Sequence, residues 1–248
     1  MPHFEYGSIS DARSKFSARL GPIVRVLKFA AALALSAFAI ILIVAKSKAQ
    51  AASTGELGLP VDRWRLIEEK SGPVNYYTLF KKSSPPHLRG AYRPGLKTAV
   101  LGFQLADEDR ERAKKLRWSW RAVTLPQGGD ECVDGKGDSA AVIYVTWKRG
   151  LRWYTLKYVW SAVGTVGKVC DRKRNPFVAQ DTIILRSGGP LNEWKTQEID
   201  LKAEFRKHFE DGDPNADVPD LLGVGLMTDG DQTNSQSVGD YADFVLTR

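Results

Sequence analysis

An uncharged apolar run from Phe29 to Ala45 divides this chain, because only the residues outside such a run can build a water-exposed domain. Arg25 and Lys28 precede the run, and five of the seven cations in residues 1–51 lie before it, which predicts a cytoplasmic amino terminus. If these two side chains snorkel, the apolar stretch extends over 23–45 and forms a full membrane span. The sequence therefore predicts four regions: a cytoplasmic segment (1–22), a transmembrane anchor (23–45), a linker (46–60) and a domain on the periplasmic face of the inner membrane (61–248).

A cleaved leader is the alternative interpretation of the same run. Ala49-Gln50-Ala51 matches the small-x-small pattern of a signal-peptide cleavage site, which would release a soluble periplasmic domain that starts near Ala52. The long stretch before the run, together with Lys46 and Lys48 after it, favours a retained single-pass anchor. Both interpretations place the domain outside the cytosol.

The net charge of +7 suggests a nucleic-acid partner, but the distribution of the charge argues against one. Residues 1–51 contain seven cations and two carboxylates, so the rest of the chain, with 29 cations and 27 carboxylates, is nearly neutral. The excess of cations near the amino terminus therefore indicates membrane topology, and we expect no nucleic-acid binding.

Most of the chain after Pro60 consists of short β-type segments between turns that contain glycine or proline. In Leu116–Val123, apolar and polar side chains alternate, as they do in a strand with one buried face. Ala140–Trp147 and Arg152–Trp160 flank a turn at 148–151 and form a predicted hairpin. Asp200 is placed to cap one short helix that begins at Leu201. This pattern predicts an all-β fold, an antiparallel sandwich of jelly-roll type with one short helix.

The two cysteines, Cys132 and Cys170, are predicted to form a disulfide. An even number of cysteines in an exported chain favours pairing, and these two lie 38 positions apart. The alternative is a pair of buried free thiols. We do not expect a catalytic cysteine, because no Cys/His signature accompanies them.

The carboxy-terminal stretch contains a candidate calcium loop. No Lys or Arg occurs from Phe209 to Thr247, whereas nine carboxylates do. Within this stretch, oxygen-bearing side chains recur at alternate positions, as in the loops that give calcium its six to eight oxygen ligands. The predicted ligands are Asp229, Asp231, Thr233 and Asp240. The alternative is an Asp-Gly turn between two strands, with carboxylates that accept hydrogen bonds from backbone amides.

Six tryptophans could line a face that stacks on the apolar faces of sugar rings, and they are Trp118, Trp120, Trp147, Trp153, Trp160 and Trp194. Of these, Trp118, Trp120, Trp160 and Trp194 are the candidate ligand-binding residues. The alternative is that aromatic residues on strands belong to the core. Glycan-cleaving chemistry would instead need two carboxylates across a cleft, with Asp138, Glu198, Asp200, Asp229 and Asp231 as the candidates. No nucleophile elbow, phosphate loop or dinucleotide fingerprint is found, so the sequence favours a protein that is not an enzyme.

Several motifs together resemble an uncharacterised bacterial family, domain-of-unknown-function family 3047. The matching stretches are Leu116–Arg121 with Leu125-Pro126, Gly137–Val145, Tyr158–Trp160, Leu185–Gly188, Trp194 and Gly225–Thr233 followed by Gly239-Asp240. The resemblance implies an exported jelly-roll domain similar in shape to carbohydrate-binding modules, and it adds Asp138 and Arg186 to the candidate ligand-binding residues. Asp138-Ser139 stands where the family usually has two aspartates.

These observations predict a non-catalytic, membrane-anchored periplasmic module that binds an envelope glycan or a membrane-protein partner. One alternative is an accessory subunit of a membrane complex, to whose assembly the anchor contributes. The other is a glycan-active enzyme that uses the carboxylates named above. Calcium is the one cofactor that the sequence suggests.

Overall fold

The computed structural model of the chain describes residues 55–67 and 76–248, which form a sandwich of two β-sheets. The predicted cytoplasmic segment and anchor lie outside these residues, as does most of the predicted linker. In the described part of the chain, no helix is both long and apolar enough to span a membrane.

One sheet has six strands, with the order β11-β6-β13-β4-β3 and with β1 paired to another part of β13. Its strands are β1 (Glu56–Gly58), β3 (Tyr77–Phe80), β4 (His87–Tyr92), β6 (Lys115–Thr124), β11 (Lys195–Asp200) and β13 (Ser237–Thr247). The other sheet has seven strands, with the order β2-β5-β12-β7-β8-β10-β9. Its strands are β2 (Arg65–Leu66), β5 (Leu101–Gln104), β7 (Ser139–Arg149), β8 (Arg152–Ser161), β9 (Val169–Arg174), β10 (Val178–Ser187) and β12 (Leu221–Met227).

From β4 to β7, and again from β10 to β13, the chain passes to the other sheet at every connection. This alternation is the jelly-roll type of arrangement, so the predicted sandwich is confirmed. One pair departs from the predicted antiparallel pattern, because β10 lies between β8 and β9 and runs parallel to β8. The last residues of the predicted linker also differ from the prediction, because β1 pairs with β13 and Leu59 is buried in the core. Residues 56–60 therefore belong to the sandwich.

Within residues 55–67 and 76–248, two short α-helices accompany the strands, α1 (Asp107–Arg110) and α2 (Leu201–Phe209), whereas the sequence predicted one helix. The predicted cap is confirmed, because the Asp200 side chain accepts a hydrogen bond from the backbone amide of Ala203. Phe205 is fully buried, and its ring lies 5.4 Å from Trp147 and 5.1 Å from Tyr154. The helix therefore closes one side of the core.

The predicted hairpin is confirmed as β7 and β8, with Gly150 in the left-handed conformation at the turn. Alternate residues of both strands point into the sandwich and meet the inward residues of β6. The largest fully buried side chains are aromatic, and they are Trp118, Trp120, Trp147, Trp160, Tyr158, Tyr241 and Phe205.

Candidate functional site

Three of the four tryptophans predicted to bind a ligand lie in the core. Trp118 and Trp120 of β6 and Trp160 of β8 are at most 1 % exposed. The ring centroids of Trp118 and Trp120 are 5.6 Å apart, and those of Trp120 and Trp160 are 5.8 Å apart. The prediction of a ligand-binding face is therefore wrong for these three residues, because the alternation of each strand directs their rings between the sheets. Their alternative assignment to the core is confirmed.

Arg186 and Trp194 occupy different surroundings. The Arg186 guanidinium lies 5.5 Å from the centre of the buried Trp160 ring, so Arg186 packs at the margin of the core. Trp194 comes immediately before β11 and is partly exposed on the outer face of the six-stranded sheet. The Arg121 guanidinium lies over the Trp194 ring, 4.6 Å from its centre. Of the four candidate ligand-binding tryptophans, only Trp194 is thus on a face that a ligand can reach.

An ion-pair triad, in which a buried carboxylate is held by two partly exposed arginines, lies beside Trp194 on this outer face. The register places Asp240 of β13 opposite Arg121 of β6 on one side and Arg89 of β4 on the other. Arg89 donates from Nε to Asp240 Oδ1 at 2.7 Å and from Nη2 to Oδ2 at 2.9 Å. Arg121 donates from Nε to Oδ2 at 2.6 Å. Both carboxylate oxygens of Asp240 are therefore held by guanidinium groups, which corrects the prediction that Asp240 is a calcium ligand.

The triad fixes the charge of Asp240. Burial alone would raise the pKa of this carboxyl, but the hydrogen bonds from Arg89 and Arg121 outweigh burial and lower it below its ordinary value. The same pairing raises the pKa of Arg89. Asp240 consequently stays ionised and is unsuited to donate a proton in an acid–base reaction.

His87 and Phe80 extend this outer face toward the edge of the sheet. The Phe80 ring stacks on His87 with a centroid distance of 4.9 Å, and His87 lies edge-on to Trp194 at 5.5 Å. His87 Nε2 is buried 3.7 Å from Asp240 Oδ2, and it has no hydrogen-bond partner among the described residues. We call the six residues Phe80, His87, Arg89, Arg121, Trp194 and Asp240 the aromatic–arginine patch.

The sequence contained a signal for part of this patch. In Arg117-Trp118-Ser119-Trp120-Arg121, the residues that alternate with the two tryptophans are polar, so Arg121 points away from the core. His87 and Arg89 were missed because the two prolines before β4 obscure a short strand. Their approach to Asp240, about 150 positions later, depends on tertiary pairing alone.

A second cluster contains the predicted calcium ligands Asp229 and Asp231. Carboxylate oxygens of these two residues and of Asp138 lie within 4.8 Å of one another, so Asp138 belongs here and not to the patch. The predicted ligand Thr233 lies next to them: its backbone amide donates to Asp138 Oδ2 at 2.6 Å, and its hydroxyl contacts Ser235 Oγ at 2.7 Å. We call Asp138, Asp229 and Asp231 the acidic cluster.

Burial and mutual repulsion perturb the acidic cluster. The pKa of Asp229 is raised well above its ordinary value, first by burial and then by the negative charge of Glu131. Burial and the neighbouring Asp138 raise the pKa of Asp231. A hard cation with oxygen ligands would relieve this repulsion, so the acidic cluster is the part of the described chain best suited to hold calcium.

The predicted disulfide between Cys132 and Cys170 is confirmed, with a Cα–Cα distance of 5.5 Å. It joins the loop before β7 to the edge strand β9. Next to it, Glu131 accepts hydrogen bonds from Lys157 Nζ at 2.7 Å and from Ser139 Oγ at 2.9 Å. The disulfide thus holds the loop whose end supplies Asp138.

The remaining candidate carboxylates of an enzyme have structural partners. Glu198 accepts a hydrogen bond from Lys115 Nζ at 2.9 Å, and Asp200 caps α2. Neither takes part in the acidic cluster or the patch.

The fold and its outer face define this chain as a β-sandwich domain with a partly exposed aromatic and basic patch. The chain matches the family described as "Protein of unknown function (DUF3047)" over residues 97–245. It therefore belongs to this family, which confirms the resemblance seen in its motifs. No relative is found among curated proteins.

The chain is also similar to solved structures. One is the family 11 carbohydrate-binding module of the cellulosomal cellulase Lic26A-Cel5E of Clostridium thermocellum, with 11 % identity, a TM-score of 0.41 and coverage of 79 % of this chain and 96 % of that one. Another is the xyloglucanase domain of NopAA, a type three effector from Sinorhizobium fredii, in complex with cellobiose; its identity is 10 %, its TM-score 0.43 and its coverage 80 % and 100 %. A third is Trichoderma harzianum endoglucanase 3 from family GH12, with 8 % identity, a TM-score of 0.33 and coverage of 80 % and 99 %.

Proposed function

We propose that this protein is a non-catalytic glycan-binding module and that the aromatic–arginine patch is its binding surface. The observation that carries the proposal is the position of Trp194 and Phe80 on either side of His87. Phe80 is 38 % exposed and Trp194 is partly exposed, whereas the other large rings of this sheet point into the core. Exposed rings on a rigid sheet present flat apolar surfaces to the apolar faces of sugar rings.

The polar members of the patch are suited to the hydroxyl groups of a sugar. Charged donors form stronger hydrogen bonds than neutral ones, and Arg89 and Arg121 are held in place by Asp240. Because their orientation is fixed before a ligand arrives, little conformational entropy is lost on binding. Within the patch, the proposal of binding without catalysis is supported by Asp240, because a carboxylate with a lowered pKa that is paired with two guanidinium groups is unsuited to act as a general acid or as a nucleophile.

The test is binding of the full-length protein, in mild detergent, to the neutral polysaccharide hydroxyethylcellulose and to the acidic polysaccharide polygalacturonate, measured by titration calorimetry. Trp194→Ala should weaken the affinity at least about tenfold, because a central aromatic contact contributes about 2 kcal/mol. Trp153→Ala is the matched control. Trp153 is also partly exposed and stacked with a cation, Lys148, but it lies on the other sheet. Equal losses from the two substitutions, or none from Trp194→Ala, would refute the proposal.

We also propose that the acidic cluster binds one calcium ion and thereby fixes the loops that carry Asp138 and Asp231. The supporting observation is the convergence of three carboxylates from two distant parts of the chain. Calcium should raise the melting temperature of the unmutated protein relative to chelator, and Asp229→Ala with Asp231→Ala should abolish the rise. Identical melting in calcium and in chelator would show that the cluster holds no calcium.

We further propose that the module works at the periplasmic face of the inner membrane, held by residues 23–45. The cation distribution before the apolar run and the disulfide support this location. Mass spectrometry of the protein purified from membranes tests it. An intact amino terminus is expected, and a chain that begins near Ala52 would instead show a cleaved leader.

A further inference from the structure

We infer that the aromatic–arginine patch prefers an acidic glycan, whose sugars carry carboxylates, over a neutral one. This inference rests on the proposed function and specifies its ligand. It is carried by the excess of positive charge in the patch, where two guanidinium groups face a single carboxylate.

The excess charge can be located on Arg121. Arg89 uses two of its nitrogens to hold both oxygens of Asp240, and this alone pairs one guanidinium with the carboxylate. Arg121 uses only Nε. Its two terminal nitrogens form no hydrogen bond within the part of the chain that the structure describes, and its side chain is 21 % exposed.

Neighbouring carboxylates do not neutralise this charge. On the β11 side of the patch, Glu193 is paired with Lys195 at 2.8 Å. Further along the same face, Glu198 is paired with Lys115 at 2.9 Å. His87 adds a buried ring nitrogen and no negative charge. The net charge of the side chains around Trp194 therefore remains positive.

The geometry favours a carboxylate on a stacked sugar. Arg121 covers part of one Trp194 ring face, 4.6 Å from the ring centre, so a sugar that approaches the ring beside the guanidinium comes close to its terminal nitrogens. The planar fork of an arginine matches the two oxygens of a carboxylate, and the pair is stronger than a hydrogen bond to a hydroxyl. A uronic acid residue combines an apolar ring face with such a group.

The experiment compares the binding of polygalacturonate and of its methyl ester, in which the charge of each carboxyl group is removed, to the full-length protein in mild detergent. We expect the acid to bind about tenfold more tightly than the ester at low salt, and this preference should shrink as the salt concentration rises. Arg121→Gln should remove the preference. Arg117→Gln is the matched control, since it removes the same charge from the same face of β6, where Arg117 lies 3.9 Å from Glu56.

The outcomes separate the inference from the proposed function. Equal binding of acid and ester by the unmutated protein would overturn the charge preference even if Arg121→Gln fails to fold. An equal effect of Arg117→Gln and Arg121→Gln would also overturn it, because the charge would then act without a site. If acid, ester and hydroxyethylcellulose bind alike and Trp194→Ala weakens all three, glycan binding stands and only the acidic preference fails. If no probe binds, the proposed function itself fails.

Discussion

Replacing Asp240 by Asn should destabilise the fold substantially although the two side chains have nearly the same shape. Asp240 is fully buried and accepts three hydrogen bonds of 2.6–2.9 Å from two guanidinium groups. Removing one partner of a buried charge pair costs about 3–5 kcal/mol. Arg89 and Arg121 remain 30 % and 21 % exposed and can regain some hydration, so the lower end of this range applies, about 3 kcal/mol.

Urea denaturation at about pH 7 measures this loss, and the pH dependence tests its cause. The pKa of Asp240 in the folded protein lies below its ordinary value, so the contribution of the carboxylate is complete above about pH 4 and is lost as the pH falls through the folded-state pKa. The stabilities of the unmutated protein and Asp240→Asn should therefore differ by a constant amount near neutral pH and converge in acid. Glu198→Gln, which removes an exposed pair with Lys115, should cost far less. Equal costs for the two substitutions, or a gap that persists in acid, would refute the reasoning.

Two further predictions concern the core and the disulfide. Phe205→Ala should lower the free energy of unfolding by about 3–5 kcal/mol, because it leaves a cavity beside Trp147 and Tyr154. Phe177→Ala, at a 61 % exposed position, should lower it by less than about 0.5 kcal/mol in the same urea titration. Similar losses from the two substitutions would contradict the assignment of α2 to the core. Replacing both Cys132 and Cys170 by Ser should lower the unfolding free energy by about 3–4 kcal/mol, since the bond closes a loop of 38 residues. A melting temperature that reductant leaves unchanged in the unmutated protein would argue against this contribution.

The parts of the fold that the sequence predicted are those set by local pattern. The hairpin of β7 and β8 follows from two β-type segments around a glycine turn, and α2 follows from a capping aspartate with apolar residues four positions apart. The parallel pairing of β8 with β10 was not predictable in this way. It depends on the position that β10 takes in the sheet after β9, and the periodicity of residues within a strand does not determine that position.

The candidate sites show the same limit. Asp229 and Asp231 form a recognisable local pattern, and the structure keeps them together, but their third partner, Asp138, lies about 90 positions earlier and joins them through tertiary contacts. Asp240 lies close to them in sequence, yet its carboxylate forms ion pairs with two arginines of the aromatic–arginine patch. Spacing along a chain predicts ligand sets only where one loop supplies all the ligands.

The core and the proposed binding surface depend on one strand register. In β6, Trp120 pairs with Tyr241 of β13, and the next residue, Arg121, pairs with Asp240. The first pair is fully buried between the sheets, whereas the second lies in the aromatic–arginine patch. A shift of one residue would expose the aromatic pair and bury the ion pair, so the packing energy of Trp120 and Tyr241 also holds Arg121 in place. The patch is therefore rigid because the core behind it is rigid, and a ligand would meet Arg121 and Trp194 already oriented for binding.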